Sequence, residues 1–240
     1  GMSVLTLVRH GQASYMSEDY DRLSALGEEQ SRKLGEFWVR HEIVFDVCFS
    51  GPARRHTRTV EIAGEAVREA GLPWPNVQIV AELDEFDAFR VARELTPLLI
   101  DCDPEIRRLN EEFFSNRHSP EAGRLLQKLF EAVSRSWCSG QYDIPDLESW
   151  AQFRARVQRA IDEIRQATSG GKNVALFTSG GVIAATVARV LDLSPERAIE
   201  FVWLTRNGSF SEFLFSGERF SMHSHNSIPH FDERRLLTYR

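Results

Sequence analysis

Three short stretches of this chain carry side chains suited to holding and attacking a phosphate group. Arg9-His10-Gly11 closes the apolar run Val4-Leu5-Thr6-Leu7-Val8. Ser50-Gly51-Pro52-Ala53-Arg54-Arg55-His56-Thr57-Arg58-Thr59 turns after Phe49 and enters a helical pattern. Thr178-Ser179-Gly180-Gly181 ends the run that starts at Asn173 and opens another helix. Guanidinium forks match phosphate oxygens, and glycines at a helix N-terminus leave backbone N–H groups available to an anion. A histidine in such a pocket has two uses. Neutral near pH 7, with an ordinary pKa of about 6.5, it is a nucleophile toward phosphorus; protonated, it is a ligand for the anion. The arginines favour the nucleophile, because positive neighbours disfavour the imidazolium and neutralise charge on the group in transfer. Taken alone, Arg9 and His10 are also consistent with polar residues that merely close a strand.

These groups act together only if the elements carrying them converge. Apolar, β-branched or aromatic runs predict strands at 4–8, 45–49, 173–178 and 210–215, with weaker ones at 78–80 and 220–223. Helical patterns fall between them, at 25–41, 53–70, 147–167 and 182–191. In the third of these Trp150, Phe153, Val157, Ile161 and Ile164 form one apolar stripe. Strands alternating with helices predict an α/β fold, with a mainly parallel central sheet flanked by helices on both faces. Ligands of such sheets bind beyond the carboxyl ends of the strands, so all three polar stretches fall at one edge. The stretch 88–145 holds no convincing strand, while Asp103-Pro104-Glu105 and Ser119-Pro120-Glu121 both read as helix starts. It is predicted to be a helical insertion over the active-site edge, within a single domain spanning 2–240.

The 240 residues suffice for one well-buried domain, and 42% hydrophobic with 27% charged residues is ordinary for a soluble chain. A net charge of -6 argues against nucleic acid as a partner. No apolar run approaches the roughly 18 residues of a membrane span, so no membrane partner is expected. The first apolar run ends at Arg9 and does not read as a signal peptide, so the cytoplasm is the expected location. Gly1, ahead of Met2, is set aside as an appended residue. Cys48, Cys102 and Cys138 show neither CxxC nor His-paired spacing, which points to no disulfide framework, no metal site and no cofactor. The expected partner is a small phosphorylated substrate or inorganic phosphate. Nothing in the sequence sets the oligomeric state.

Taken in order, these motifs resemble the histidine phosphatase superfamily, also called the phosphoglycerate mutase-like family. Arg9-His10-Gly11 matches its N-terminal signature, and Arg55 with Thr59 matches the downstream arginine and threonine. Asp21-Arg22-Leu23-Ser24-Ala25-Leu26-Gly27 with Gln30, Glu148-Ser149-Trp150, Asn207-Gly208-Ser209, Asn226 and His230 extend the likeness to nearly the whole chain except the insertion. The resemblance implies a metal-independent phosphohydrolase of phosphoglycerate mutase-like fold, working through a phosphohistidine at His10. Arg9 and Arg55 would clamp the phosphoryl oxygens, with Gly11, Gln12, Ser179 and Gly180 as further substrate-binding positions. Family spacing makes Glu85 the proton donor to the leaving oxygen, with Asp87 in reserve. Crowding and burial would raise the pKa of Glu85, as an acid working near neutrality requires.

The chain departs from the family twice. The family's second histidine, ahead of a glycine, is Ser179 here. A neutral hydroxyl gives a weaker bond to phosphate than an imidazolium, and losing one donor of this kind costs about 10²–10³ in rate. That predicts weakened turnover, and Ser179→His should raise it. It also leaves open a second reading, a catalytically impaired phosphate-ligand or protein-binding module. His56 is expected to point away from the gap, because neighbours on a helix diverge. His223 and His225 share a face of the late strand and are the alternative occupants, against the plainer reading of surface or satisfied core residues. The second departure is Met16, where family mutases carry Asn about six residues after the nucleophile. It disfavours the further alternative, a phosphoglycerate mutase-type phosphotransferase, although Gln12 can replace part of the lost amide. The insertion is expected to set the leaving-group side, with Arg90, Arg93, Arg107 and Arg108 available to a second anionic group.

Overall fold

The computed structural model describes residues 1–14 and 19–239. Six strands form one sheet in the order β3-β2-β4-β1-β5-β6: β1 Ser3–Arg9, β2 Val47–Ser50, β3 Val77–Ile79, β4 Asn173–Thr178, β5 Phe210–Ser216 and β6 Arg219–Ser227. β1, β2, β3 and β4 run parallel, and β5 and β6 are antiparallel additions at one edge. The mainly parallel α/β architecture expected from the sequence is thus observed. Register aligns the ends that matter, since Arg9 pairs with Thr178 and Ser50 pairs with Phe177. The three polar stretches therefore leave the sheet at one edge.

Helices cover both faces. On one, α1 (Ala25–Arg40) and α2 (Arg54–Glu69) pack Leu34, Trp38, Val60 and Ala63 against Val8 and Phe177. On the other, α6 (Trp150–Ala167) and α7 (Gly180–Leu191) bury Phe153, Val157, Ile183 and Val187 against Leu5, Leu7 and Leu176. Between them in sequence lie α3 (Ala88–Leu99), α4 (Pro104–Ser115) and α5 (Ala122–Cys138), so the stretch read as an insertion is helical. Asp103 caps α4 as its sequence implies, accepting from the Glu105 and Ile106 N–H groups. Ser119-Pro120-Glu121 instead makes a turn, the Ser119 hydroxyl accepting from Glu121, and α5 starts at Ala122 without a side-chain cap. α6 starts at Trp150, later than its pattern suggests, because Ser149 and Gln152 form a capping box there.

Two short helices, α8 (Pro195–Ala198) and α9 (Glu200–Leu204), escape periodicity analysis because neither completes two turns. β6 runs well past its predicted end, carried on by pairing with β5. Among the described residues, no helix is long and apolar enough to cross a membrane, and no cluster of His, Cys, Asp or Glu has metal-binding geometry.

Candidate active site

β1 delivers Arg9 and His10 to the sheet edge, where the chain is held tightly. The His10 N–H donates to the Thr178 carbonyl at 3.0 Å, and the His10 carbonyl accepts from Gly208 N–H at 3.1 Å. Gly11 N–H donates to Thr59 Oγ1 at 3.1 Å, and Thr59 Oγ1 donates to the Arg55 carbonyl at 2.7 Å. The threonine thus ties the first polar stretch to the second. Gly11 is needed at its position, since a Cβ there would lie 2.3 Å from the Gly27 carbonyl oxygen. His10 is 3% exposed, and its Nδ1 lies 2.7 Å from the Gly11 carbonyl oxygen. A carbonyl only accepts, so Nδ1 carries the proton and Nε2 keeps its lone pair. Nε2 has no hydrogen-bond partner among the described residues. Burial, then the charges of Arg55 and Arg9, push the His10 pKa well below the ordinary histidine range.

Both arginines are anchored but not exhausted. Arg9 Nη1 donates to the Thr205 and Val202 carbonyls around α9, while its Nε is buried without a partner. Arg55 Nη1 pairs with Asp21 Oδ1 at 3.0 Å, and its Nε is likewise buried and unpaired. Asp21 also accepts from the Arg54 and Arg55 N–H groups, at 3.0 and 3.1 Å. It therefore supplies the cap that Ala53, at the N-cap position of α2, cannot. Burial opposes the Asp21 charge, but these hydrogen bonds and Arg55 outweigh it and hold the carboxyl below its ordinary range.

Glu85 follows a single 3-10 turn, Ala81–Leu83. Its Oε2 accepts from Gly181 N–H at 2.9 Å and its Oε1 from Phe86 N–H at 3.1 Å. Desolvation raises its pKa, against these donors and the charges of Arg55 and Arg9. The Gly181 N–H is thus committed to a carboxylate and not to an incoming anion, which corrects its reading as a phosphate donor. Gly181 must also be glycine, because a Cβ there would fall 2.0 Å from Glu85 Oε1. Gly180 lies beside Arg9, a Cβ on it falling 3.5 Å from Arg9 Cζ. Asp87 instead caps α3, accepting from Arg90 N–H.

The space beside Ser179 is filled by a residue expected elsewhere. His56 is fully buried, its Nε2 2.5 Å from Ser179 Oγ and its ring centroid 5.7 Å from that of His10. The divergence of neighbouring helix residues, which argued against His56, is what brings it here. Arg55 turns to the rim toward Asp21, and the next residue turns inward toward the end of β4. His225 packs edge-on against Phe201 and His223 is exposed on β6, so neither fills the gap. Met16 lies outside the described residues.

Arg156 carried no signal in the sequence and Asp21 only its place in a family-like segment, yet both build the site. Arg156 donates to the carbonyls of Glu82, Asp84 and Glu85, while it pairs with Glu148 at 2.7 Å. Only its position on α6 opposite the turn reveals this. In the insertion, Arg90 and Arg108 are paired with Glu94 and Glu112, and Arg107 donates to the Ile100 and Asp101 carbonyls. They are committed locally and not held ready for an anion. A cavity of about 400 Å³ begins at Gln12 and is lined by Gln127, Glu131, Trp203, Thr238 and Tyr239.

The family model for the histidine phosphatase superfamily (branch 1) matches residues 5–96 and 88–228. The chain belongs to the histidine phosphatase superfamily. Solved superfamily-like structures share its fold at low identity. A mycobacterial glucosyl-3-phosphoglycerate phosphatase is 20% identical with a TM-score of 0.62, over 95% of this chain and 100% of the other. A putative alpha-ribazole-5'-P phosphatase from Escherichia coli is 20% identical with a TM-score of 0.60, over 94% and 96%. A phosphoglycerate mutase from Bacillus anthracis is 16% identical with a TM-score of 0.60, over 96% and 95%. A search of the curated proteins by sequence finds no match. Within the superfamily, this chain sets a serine and a histidine from two different elements side by side at the pocket.

Proposed function

We propose that the protein is a metal-independent phosphohydrolase acting on a small phosphorylated metabolite, with His10 as the nucleophile. The observation that carries this reading is the fixed tautomer of His10. Its Nδ1–H is spent on the Gly11 carbonyl, and its Nε2 lone pair is left beside two guanidinium groups. Nε2 attacks phosphorus, Arg9 and Arg55 stabilise charge on the equatorial oxygens, and protonated Glu85 gives its proton to the leaving oxygen. Water then attacks the phosphohistidine, and Glu85, now ionised, takes a proton from it. Nucleophile, clamp and acid are all side chains, so the sequence of steps needs no metal.

The leaving group is assigned to the cavity at Gln12, where α5 of the insertion contributes Gln127 and Glu131. Glu131 is the one charged side chain in that lining among the described residues, which suits an uncharged or cationic leaving group over a carboxylate. The test is turnover of an aryl phosphate near pH 6 with His10→Ala as control. His10-dependent hydrolysis is the expected result. Equal rates for the two proteins would overturn the reading in favour of a phosphate-binding module, which Ser179 otherwise motivates. Exchange of phosphoryl groups between positions of phosphoglycerate, without hydrolysis, would instead favour a mutase.

A further inference from the structure

Ser179 occupies the N-cap of α7, where a serine hydroxyl ordinarily accepts a hydrogen bond from its own helix. It makes no such bond. The nearby Gly181 N–H is taken by Glu85, and Ser179 Oγ is turned to His56 Nε2 instead. Both residues are almost completely buried, Ser179 at 1% and His56 at 0% exposure. The remaining nitrogen of His56, Nδ1, faces the Gly51 carbonyl, which favours a proton on it although the pair falls short of full hydrogen-bond geometry. Gly51 also leaves the room that this ring occupies, since a Cβ there would come within 2.4 Å of His56 Nδ1.

These contacts leave the imidazole two tautomers. With the proton on Nδ1, toward the Gly51 carbonyl, Nε2 accepts from the Ser179 hydroxyl; with it on Nε2, the imidazole donates to Ser179 Oγ. An anion in the pocket selects the second, because only then can the Ser179 hydroxyl donate to it. With Nε2–H as donor, the Ser179 oxygen is the acceptor, and its own O–H is free to point into the pocket. We propose that His56 and Ser179 form a two-member relay, in which His56 Nε2–H holds Ser179 Oγ so that the Ser179 hydroxyl donates to a phosphoryl oxygen clamped by Arg9 and Arg55. The proposal rests on the phosphohydrolase reading above. Ser179 is the group that touches the substrate; His56 acts through it and is a positioning residue. The imidazole enters from α2 and not from the end of β4.

The charges around the pair fit this arrangement. Arg9, Arg55 and His10 lie on the pocket side, Asp21 and Glu85 on the flanks. Burial, then Arg55, keeps His56 neutral in the unliganded site, with its pKa lowered to about 3. A phosphoryl dianion reverses the sign of the local field, and each hydrogen bond of the chain polarises the next. The relay therefore strengthens when the anion arrives.

The experiment is a double-mutant cycle of His56→Ala and Ser179→Ala, with His56→Gln as the conservative variant. Two quantities are read: kcat and KM for an aryl phosphate, and the affinity for inorganic phosphate by calorimetry. Each single variant is expected to lose about 10²-fold in kcat, the lower end of what loss of an oxyanion donor costs. The double variant is expected to be no worse than the weaker single, because members in series share one effect. His56→Gln keeps an N–H donor and should recover part of the loss; it also carries the test if His56→Ala fails to fold. Ser179→His alone would drive a second ring into His56 and should lose turnover, while Ser179→His with His56→Ala should restore it. Fully additive losses would overturn the relay, and so would unchanged or improved kcat and phosphate affinity in His56→Ala. A gain from Ser179→His alone would also overturn it. A wild-type protein that binds phosphate but turns nothing over would overturn the phosphohydrolase reading instead. The phosphate affinities of the variants would still decide the relay.

Discussion

At the scale of residues, the site is a set of side chains whose protonation is fixed before any ligand arrives. His10 is held neutral, by burial and then by Arg55 and Arg9, whereas Glu85 is shifted upward by desolvation. Both groups thus favour the uncharged form, His10 without its second proton and Glu85 with its proton kept, as a nucleophile and an acid require. One expected outcome concerns Glu85→Gln. A carboxamide in place of the carboxyl cannot deliver a proton, so esters with poorly acidic leaving groups should lose about 10²-fold or more in kcat/KM, which reports transfer to His10 and not the later attack of water that all substrates share. An aryl phosphate, whose leaving group departs without a proton, should lose much less. Comparing an alkyl and an aryl phosphate on the same variant checks this. Equal losses on both would remove Glu85 from the acid's role. A single residue also marks the limit of reading the sequence. His56 was legible as a histidine beside Arg55, but not as a neighbour of Ser179, because the two lie 123 positions apart.

At the scale of elements, the sheet ends were written in the sequence and the braces behind them were not. Runs ending at Arg9, Ser50 and Thr178 announce their own boundaries, since an apolar strand must stop where polar side chains begin. The parallel register of β1, β2 and β4 then forces the three stretches together. Braces work differently. Asp21 caps a helix whose own N-cap is alanine, and Arg156 on α6 holds three carbonyls of the turn that carries Glu85. Such roles depend on a partner supplied by the fold, and no local pattern encodes them. Arg156→Ala should free the turn and misplace Glu85. We expect kcat to fall roughly tenfold, the scale of a small misplacement of a catalytic group, with KM little changed. Arg156→Lys should restore little, because one ammonium cannot span carbonyls that a planar fork bridges. Steady-state kinetics of both variants decides it; a change confined to KM would place Arg156 with substrate binding instead.

At the scale of the whole molecule, buried neutral histidines couple folding to pH. Burial lowers the pKa of His56, also beside Arg55, to about 3, and that of His230, whose Nε2–H donates to the Gly208 carbonyl, to about 4. In the unfolded chain both return to the ordinary value of about 6.5. Below that value the unfolded state takes up protons that the folded state refuses. Stability therefore falls as pH drops from about 6.5 toward the folded-state values, by about 1.4 kcal/mol per pH unit for each histidine. Denaturant midpoints measured from neutrality to about pH 5 should show this decline. His56→Gln and His230→Gln should each flatten it, and an unaltered slope in both would refute the assignment.

β1 sits in the middle of the sheet, yet both of its neighbours, β4 and β5, come from the far end of the chain. Closing loops of that size precedes any reward from the contacts they make, which slows the approach to the native state. Helices such as α1 and α6 acquire their local hydrogen bonds without waiting for that closure, whereas His10 meets Thr178 and Gly208 only after it. Catalytic competence is consequently a late event in the history of each molecule. A recovering population will look folded by its helices well before it can carry a phosphate.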